Sequence, residues 1–193
     1  MGSVAGMLLA AAPVQRTGAP MALVQHEGMR LVERGLRTLV AGGCSPVIVV
    51  LGCGAQEVRE RANLNGAVVI INKVWRDGLG SSLRTGLNAL EPTLVDGVSF
   101  LLSETPGITA AAVRRVNALG ADDALVAATY EGHLGHPVLL GRKHWPGVAG
   151  RAIGDFGARP YLRAHAAELT LIACDDVSVG RDIDFPDRPT PDV

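Results

Sequence analysis

Six short aliphatic runs, at residues 4–10, 47–51, 67–71, 97–102, 125–129 and 169–173, limit what this chain can fold into more than any other feature. Each is bounded by Gly, Pro, Asn or Asp, and VIVVL at 47–51 lacks the polar alternation of a strand with one wet face. Such runs suit strands covered on both sides, as in a parallel sheet. Between them, Leu31, Val32, Leu36 and Val40 repeat at one-face helical spacing, as do Leu83, Leu87 and Leu90. Thr109 is placed to cap a helix over 110–119, with Pro106 ahead of it. Strands alternating with helices predict an α/β fold: a three-layer, doubly wound, mostly parallel sheet with a small antiparallel excursion near 130–140. With 193 residues at 48% hydrophobic content, one domain over 1–193 is expected, with a loose tail at about 186–193.

Charge narrows the partners. Lysine and arginine number 18 against 19 acidic residues, with no block of like charge, so a nucleic-acid-binding face is unsupported. A local basic pocket still fits inside that neutral average, and only Lys73 and Lys143 are lysines. Cys44, Cys53 and Cys174 form neither a CxxC pair nor a metal-ligand spacing, which points to a reducing cytoplasm. The uncharged stretch 4–14 has no Lys or Arg before Arg16 and is too short to span a bilayer. It reads as a buried strand and its loop.

In a doubly wound sheet, ligands bind beyond the carboxyl ends of the strands. Four segments in or beyond those ends stand out. LAAAPVQRTGAPMAL (9–23) is a small-residue loop whose backbone N–H groups can approach phosphates, with Arg16 to neutralise their charge; the plainer reading is a tight packed turn. VIVVLGCGAQEV (48–58) is half of a GxGxxG dinucleotide fingerprint, because Glu57 occupies the third glycine position. FLLSETPGIT (100–109) sets Glu104 just after a strand, where a carboxylate can hold Mg²⁺ beside a phosphate loop or simply stand solvated before a helix. In the fourth group, GHLGHPVLLGR (132–142), GDFGAR and GRDIDFPD, the glycines and Pro137 make a turn around His133 and His136. Asp182 and Asp184, two apart in an extended chain, face one side and can complete a metal site with Glu104 or form a solvated charge cluster.

Taken together, these segments resemble the molybdenum-cofactor nucleotidyltransferases, most closely the cytidylyltransferase branch, over nearly the whole chain. Against the LAAGxSxRMGxPK loop of that family, Leu9, Ala10, Ala11, Arg16, Gly18 and Pro20 fall in register. DGLGSSLR at 77–84 matches its EGLGSSLR-like stretch, GHPVLLGR at 135–142 its GHPVLxGR, GDFGAR at 154–159 its GDxGAR, and DIDFPD at 182–187 its DIDxPED. The resemblance implies a Rossmann-like nucleotidyltransferase fold, CTP at the opening loop, Mg²⁺ on an acidic residue, and attack of a molybdopterin phosphate on the α-phosphate with loss of pyrophosphate. It assigns Ala10, Ala11 and Ala12 to base and phosphates through their backbone, Arg16 to the phosphates, and Ser82 to the nucleotide. Glu104 with Asp182 or Asp184 holds the metal, and His136 and Asp155 line the acceptor side.

The chain departs from the family where phosphate charge is handled. Ala12 replaces the loop glycine and obstructs the site if that position needs positive φ or close phosphate approach. Met21 replaces the lysine, Thr17 and Val14 replace methionine and serine, and SETP stands for GDQP, with Glu104 in place of aspartate. Lys73, ahead of Trp75, is the candidate substitute cation. Two functions follow: CTP-dependent nucleotidyl transfer to a molybdopterin-type acceptor, or a catalytically impaired descendant that keeps a nucleotide or pterin ligand as sensor, carrier or protein partner. An oxidoreductase with a nicotinamide or flavin cofactor has only the incomplete glycine fingerprint behind it.

Overall fold

The computed structural model describes residues 2–14 and 17–180. In chain order the elements are β1 (Val4–Ala10), β2 (Gln25–His26), β3 (Met29–Arg30), α1 (Leu31–Ala41), β4 (Val47–Leu51), α2 (Ala55–Arg61), β5 (Val68–Ile71), α3 (Leu79–Leu90), β6 (Gly97–Leu102), α4 (Ala110–Asn117), β7 (Leu125–Tyr130), β8 (His133–Gly141), α5 (Trp145–Arg151), α6 (Arg159–Ala164) and β9 (Thr170–Ala173). Seven strands form the main sheet in the order β5-β4-β1-β6-β8-β7-β9, and β2 and β3 make a separate small hairpin. Within the main sheet only β8 runs against its neighbours.

The aliphatic runs become strands because both faces of the sheet are covered. Every residue of β1 and β4 is buried. Alternation divides them: Met7 and Leu9 meet Leu83, Leu87 and Leu90 of α3 with Trp145 and Tyr161, while Leu8 and Val49 meet Leu36 and Leu39 of α1 with Val113 and Val116 of α4. The three layers are those expected.

Two local expectations are corrected. Val40 is 51% exposed, and Leu39 packs in its place. At 100° per residue Val40 lies about a quarter-turn from the middle of the stripe made by Leu31, Val32, Leu36 and Leu39. The turn expected around His133 and His136 shrinks to Glu131 and Gly132, whose φ values of 51° and 79° suit a two-residue hairpin loop. The strand resumes at His133. Pro137 is tolerated there because the β7–β8 register is interrupted between Ala127 and Thr129, so a missing N–H breaks no regular ladder.

Among the described residues no helix is long and apolar enough to cross a membrane.

Candidate functional site

Strands β1, β4, β5 and β6 point the same way, so the segments after Ala10, Leu51, Ile71 and Leu102 gather at one edge of the sheet. Backbone hydrogen bonds join them. Ser103 N–H donates to the Leu9 carbonyl at 3.0 Å, Cys53 N–H to that of Ala11 at 2.9 Å, and Asn72 N–H to that of Leu51 at 2.7 Å.

The loop after β1 closes on itself. Met21 N–H donates to the Ala12 carbonyl at 3.0 Å, Val14 N–H to Ala19 at 2.7 Å, and Gly18 takes a φ of 66° to make the bend. Ala12 itself is outside the positive-φ residues, so its Cβ imposes no backbone strain. Its N–H donates to no backbone carbonyl among the described residues. Met21 is buried at 7% exposure, a neutral side chain packed inward. Arg16 lies outside the described residues.

The glycines of the half-fingerprint are used for packing. A Cβ on Gly52 would come within 2.5 Å of Trp75 Cβ and 2.8 Å of Ala11 Cβ. One on Gly54, whose φ is 56°, would strike the Pro20 ring. These residues seat the β1 loop and Trp75 on the end of β4.

Glu104 is buried at 5% exposure, between Ser103 and Thr105, and its Oε2 accepts from the Ser103 hydroxyl at 3.1 Å. The solvated reading of this glutamate is therefore wrong. The helix that follows starts six residues later and is capped by Thr109, whose hydroxyl accepts from Ala112 N–H at 3.3 Å. Among the described residues no three His, Cys, Asp or Glu side chains group as a metal site. Asp182 and Asp184 lie outside the described residues, while the end of the described chain is bonded to the segment that follows Glu104. Ser178 Oγ donates to the Gly107 carbonyl at 2.9 Å and Val179 N–H to the same carbonyl at 3.2 Å.

Ser82 is buried at 2% exposure, and its hydroxyl accepts from Asn72 Nδ2 at 3.0 Å. The same amide donates to Ser81 Oγ at 2.8 Å, and Asn72 Oδ1 accepts from Val74 N–H at 3.0 Å. Asn72 thus fixes the turn from β5 to α3, a role that sequence reasoning missed. Its position directly after an aliphatic run was the available signal. Lys73 beside it is exposed.

Asp155 accepts from Leu79 N–H at 3.3 Å and so helps to cap α3. Three glycines close this contact. A Cβ on Gly78 would lie 2.5 Å from the Gly154 carbonyl carbon, one on Gly80 2.5 Å from the Ala152 oxygen, and one on Gly157 2.9 Å from Leu79. Arg84 ties the same segment by donating to the Ala152 carbonyl. The DGLGSSLR and GDFGAR stretches are therefore two sides of one junction.

Continuing the register of Phe100 with Val138 sets His136 opposite Leu102, two residues before Glu104. Its ring packs edge-on against Phe100, with centroids 5.1 Å apart, and its Nδ1 is buried without a hydrogen-bond partner among the described residues. Burial, opposed by a backbone hydrogen bond at Phe100 and assisted by the charge of Arg159, lowers its pKa to about 4. The imidazole is neutral at pH 7.

Comparison with known proteins agrees with this layout. A family model described as a MobA-like NTP transferase domain matches residues 6–169. Nicotine blue oxidoreductase from Paenarthrobacter nicotinovorans is 35% identical over 189 residues, covering 94% of this chain and 92% of that protein. Rv0371c from Mycobacterium tuberculosis H37Rv has a similar structure, with a TM-score of 0.81 at 24% identity over 94% of this chain and 93% of that one. A manganese complex of Rv0371c gives 0.77 at 24% identity, covering 95% and 94%. At that identity the structural likeness concerns the fold.

Proposed function

The chain belongs to the MobA-like NTP transferase family, and from that premise we propose that it moves a nucleotidyl group from a nucleoside triphosphate, CTP by preference, to a molybdopterin-type acceptor. The observation that carries this reading is Glu104, buried at the end of β6 in a segment bonded to β1 just before its loop. An acidic oxygen donor in that place suits a divalent cation that protein shares with phosphates.

On this reading a phosphate oxygen of the acceptor attacks the α-phosphorus, the bond from that phosphorus to the bridging oxygen breaks, and pyrophosphate leaves with the electron pair. Ala10, Ala11 and Ala12 hold base and phosphates through their backbone, with Arg16 and Lys73 adding positive charge. Ser82 acts on the nucleotide side through Asn72, which it helps to hold. His136 and Asp155 face the acceptor. Glu104 with Asp182 or Asp184 offers hard oxygen donors that fit Mg²⁺ or Mn²⁺, and the structural neighbour solved with manganese makes that ion worth testing. Such an ion, when bound, offsets the negative charge of the phosphates.

Calorimetry with CTP, GTP and ATP, each with and without Mg²⁺ or Mn²⁺, tests the proposal. CTP binding that tightens with the ion, followed by pyrophosphate release on addition of molybdopterin, is expected. Failure of all three triphosphates to bind would overturn it.

A second reading has two observations in its favour: Met21 is a buried neutral residue where the loop of the resembling family carries lysine, and a 35% identical relative is named an oxidoreductase. Under it the site keeps a nucleotide or pterin ligand, or supports a redox reaction, without nucleotidyl transfer. Ligand binding with no pyrophosphate released, or redox turnover of nicotine blue by the purified protein, would favour this reading.

A further inference from the structure

A bound triphosphate brings several negative charges to the loop after β1, yet the described loop residues 11–14 and 17–21 include no basic side chain. The fold brings a cation to their neighbourhood from another element. The indole of Trp75 sits on Gly52 so closely that a Cβ there would lie 2.7 Å from its Cγ, and Ala11 is packed at the same point. The guanidinium carbon of Arg76 lies over this ring, 4.5 Å from its centroid. Arg76 is exposed and makes no ion pair among the described residues. Stacking on an indole restricts a long side chain without neutralising it.

The geometry points to a further binding residue, and this inference rests on the transferase reading: we propose that Arg76, carried on Trp75, contacts the terminal phosphates of the bound nucleoside triphosphate. The neighbours of Trp75 lie next to the phosphate loop. Cys53, directly after Gly52, donates its N–H to the Ala11 carbonyl at 2.9 Å and its thiol to the Gly18 carbonyl at 3.3 Å. The charge of Arg76 is felt there: burial raises the Cys53 thiol pKa, and Arg76 is the main opposing influence, with Glu57 adding to the rise. Among the described residues Arg76 is thus a charge without an ion pair near the loop, on a support whose own packing fixes its position. A planar guanidinium also offers paired donors to phosphate oxygens.

The test is binding of CTP, inorganic tripolyphosphate and CMP to the wild type, Arg76→Ala, Arg76→Lys and Lys143→Ala. The last removes one positive charge at the opposite end of the sheet, where Lys143 pairs with Asp122 at 3.1 Å. Arg76→Ala is expected to weaken CTP and tripolyphosphate by about tenfold or more while CMP changes little, because only the outer phosphates lose their partner. Arg76→Lys should recover part of the loss, and Lys143→Ala should match the wild type. Tripolyphosphate should also alter Trp75 fluorescence in the wild type, and the change should vanish in Arg76→Ala and Trp75→Phe. Wild-type CTP affinity in Arg76→Ala overturns the inference and leaves the transferase reading standing. A wild type that binds no triphosphate overturns both.

Discussion

His136 holds its imidazole where burial favours the neutral ring. Burial against Phe100 is the largest cause, and its pKa falls from 6.5 to about 4. In the unfolded chain the ring takes up a proton as pH drops below its ordinary pKa, while the folded protein does not until about pH 4. Stability from this group is therefore full above pH 6.5 and lost on acidification toward pH 4. The cost at pH 4.5 relative to pH 7 is about 2–3 kcal/mol. Urea midpoints at the two pH values should show that loss in the wild type, and His136→Asn should remove most of it. An unchanged pH dependence in the variant would mean that other groups govern acid stability. At this scale the sequence reveals positions better than environments. Glu104 is legible as a strand-end carboxylate, but its burial at 5% exposure is a property of the folded chain. Asn72 escapes notice because its partners, Ser81 and Ser82, reach it only once α3 folds back beside β5.

The junction of α3 with the 154–157 segment shows how an element is held by glycines. Gly78 has φ 89° and ψ −176°, a conformation closed to side chains, and a Cβ there would meet Gly154 and Asp155 Oδ1 within 2.7 Å. Gly78→Ala should cost about 2–4 kcal/mol, or roughly 4–16 °C in Tm, from strain and displacement of the Asp155 cap. Gly150, inside α5, offers the opposite case, because nothing lies within 4 Å of the added Cβ. Gly150→Ala should stabilise by about 0.5–1 kcal/mol, raising Tm by roughly 1–4 °C. Thermal unfolding of both variants separates a glycine required by geometry from one that is merely present. Their surroundings cannot be distinguished in the sequence, where DGLGSSLR and GDFGAR lie about seventy residues apart. Elements with strong local signals are legible: the run 47–51 is β4 without adjustment, and Thr109 caps α4. The error over Val40 arose because i+3 and i+4 neighbours both fit a helical face until the partner surface selects one.

Across the whole molecule, the parallel strands bring segments far apart in the sequence to one edge, and the end of the described chain returns there. Cys174 N–H donates to the Thr129 carbonyl at 3.0 Å, Thr109 Oγ1 to the Val177 carbonyl at 2.8 Å, and Gly180 packs against the Tyr130 ring. Tyr130 in turn donates its hydroxyl to the His136 carbonyl at 2.7 Å. Asp182 and Asp184 follow Gly180 by two and four residues in the sequence. If Glu104 and one of these aspartates share a divalent ion with the nucleotide, the ion-dependent part of ligand binding must require both carboxylates. A ligand that binds only the folded protein stabilises it by about 2.7 kcal/mol at a hundred times its Kd. For a chain of this size that is roughly a 5–10 °C rise in Tm. The rise given by CTP with Mn²⁺ over CTP alone should disappear in Glu104→Gln and shrink strongly in Asp182→Asn or Asp184→Asn. If both aspartate variants keep the full ion-dependent rise while Glu104→Gln loses it, Glu104 alone supplies the metal carboxylate. If all three keep it, the ion is held by the phosphates without them, and the burial of Glu104 serves the fold.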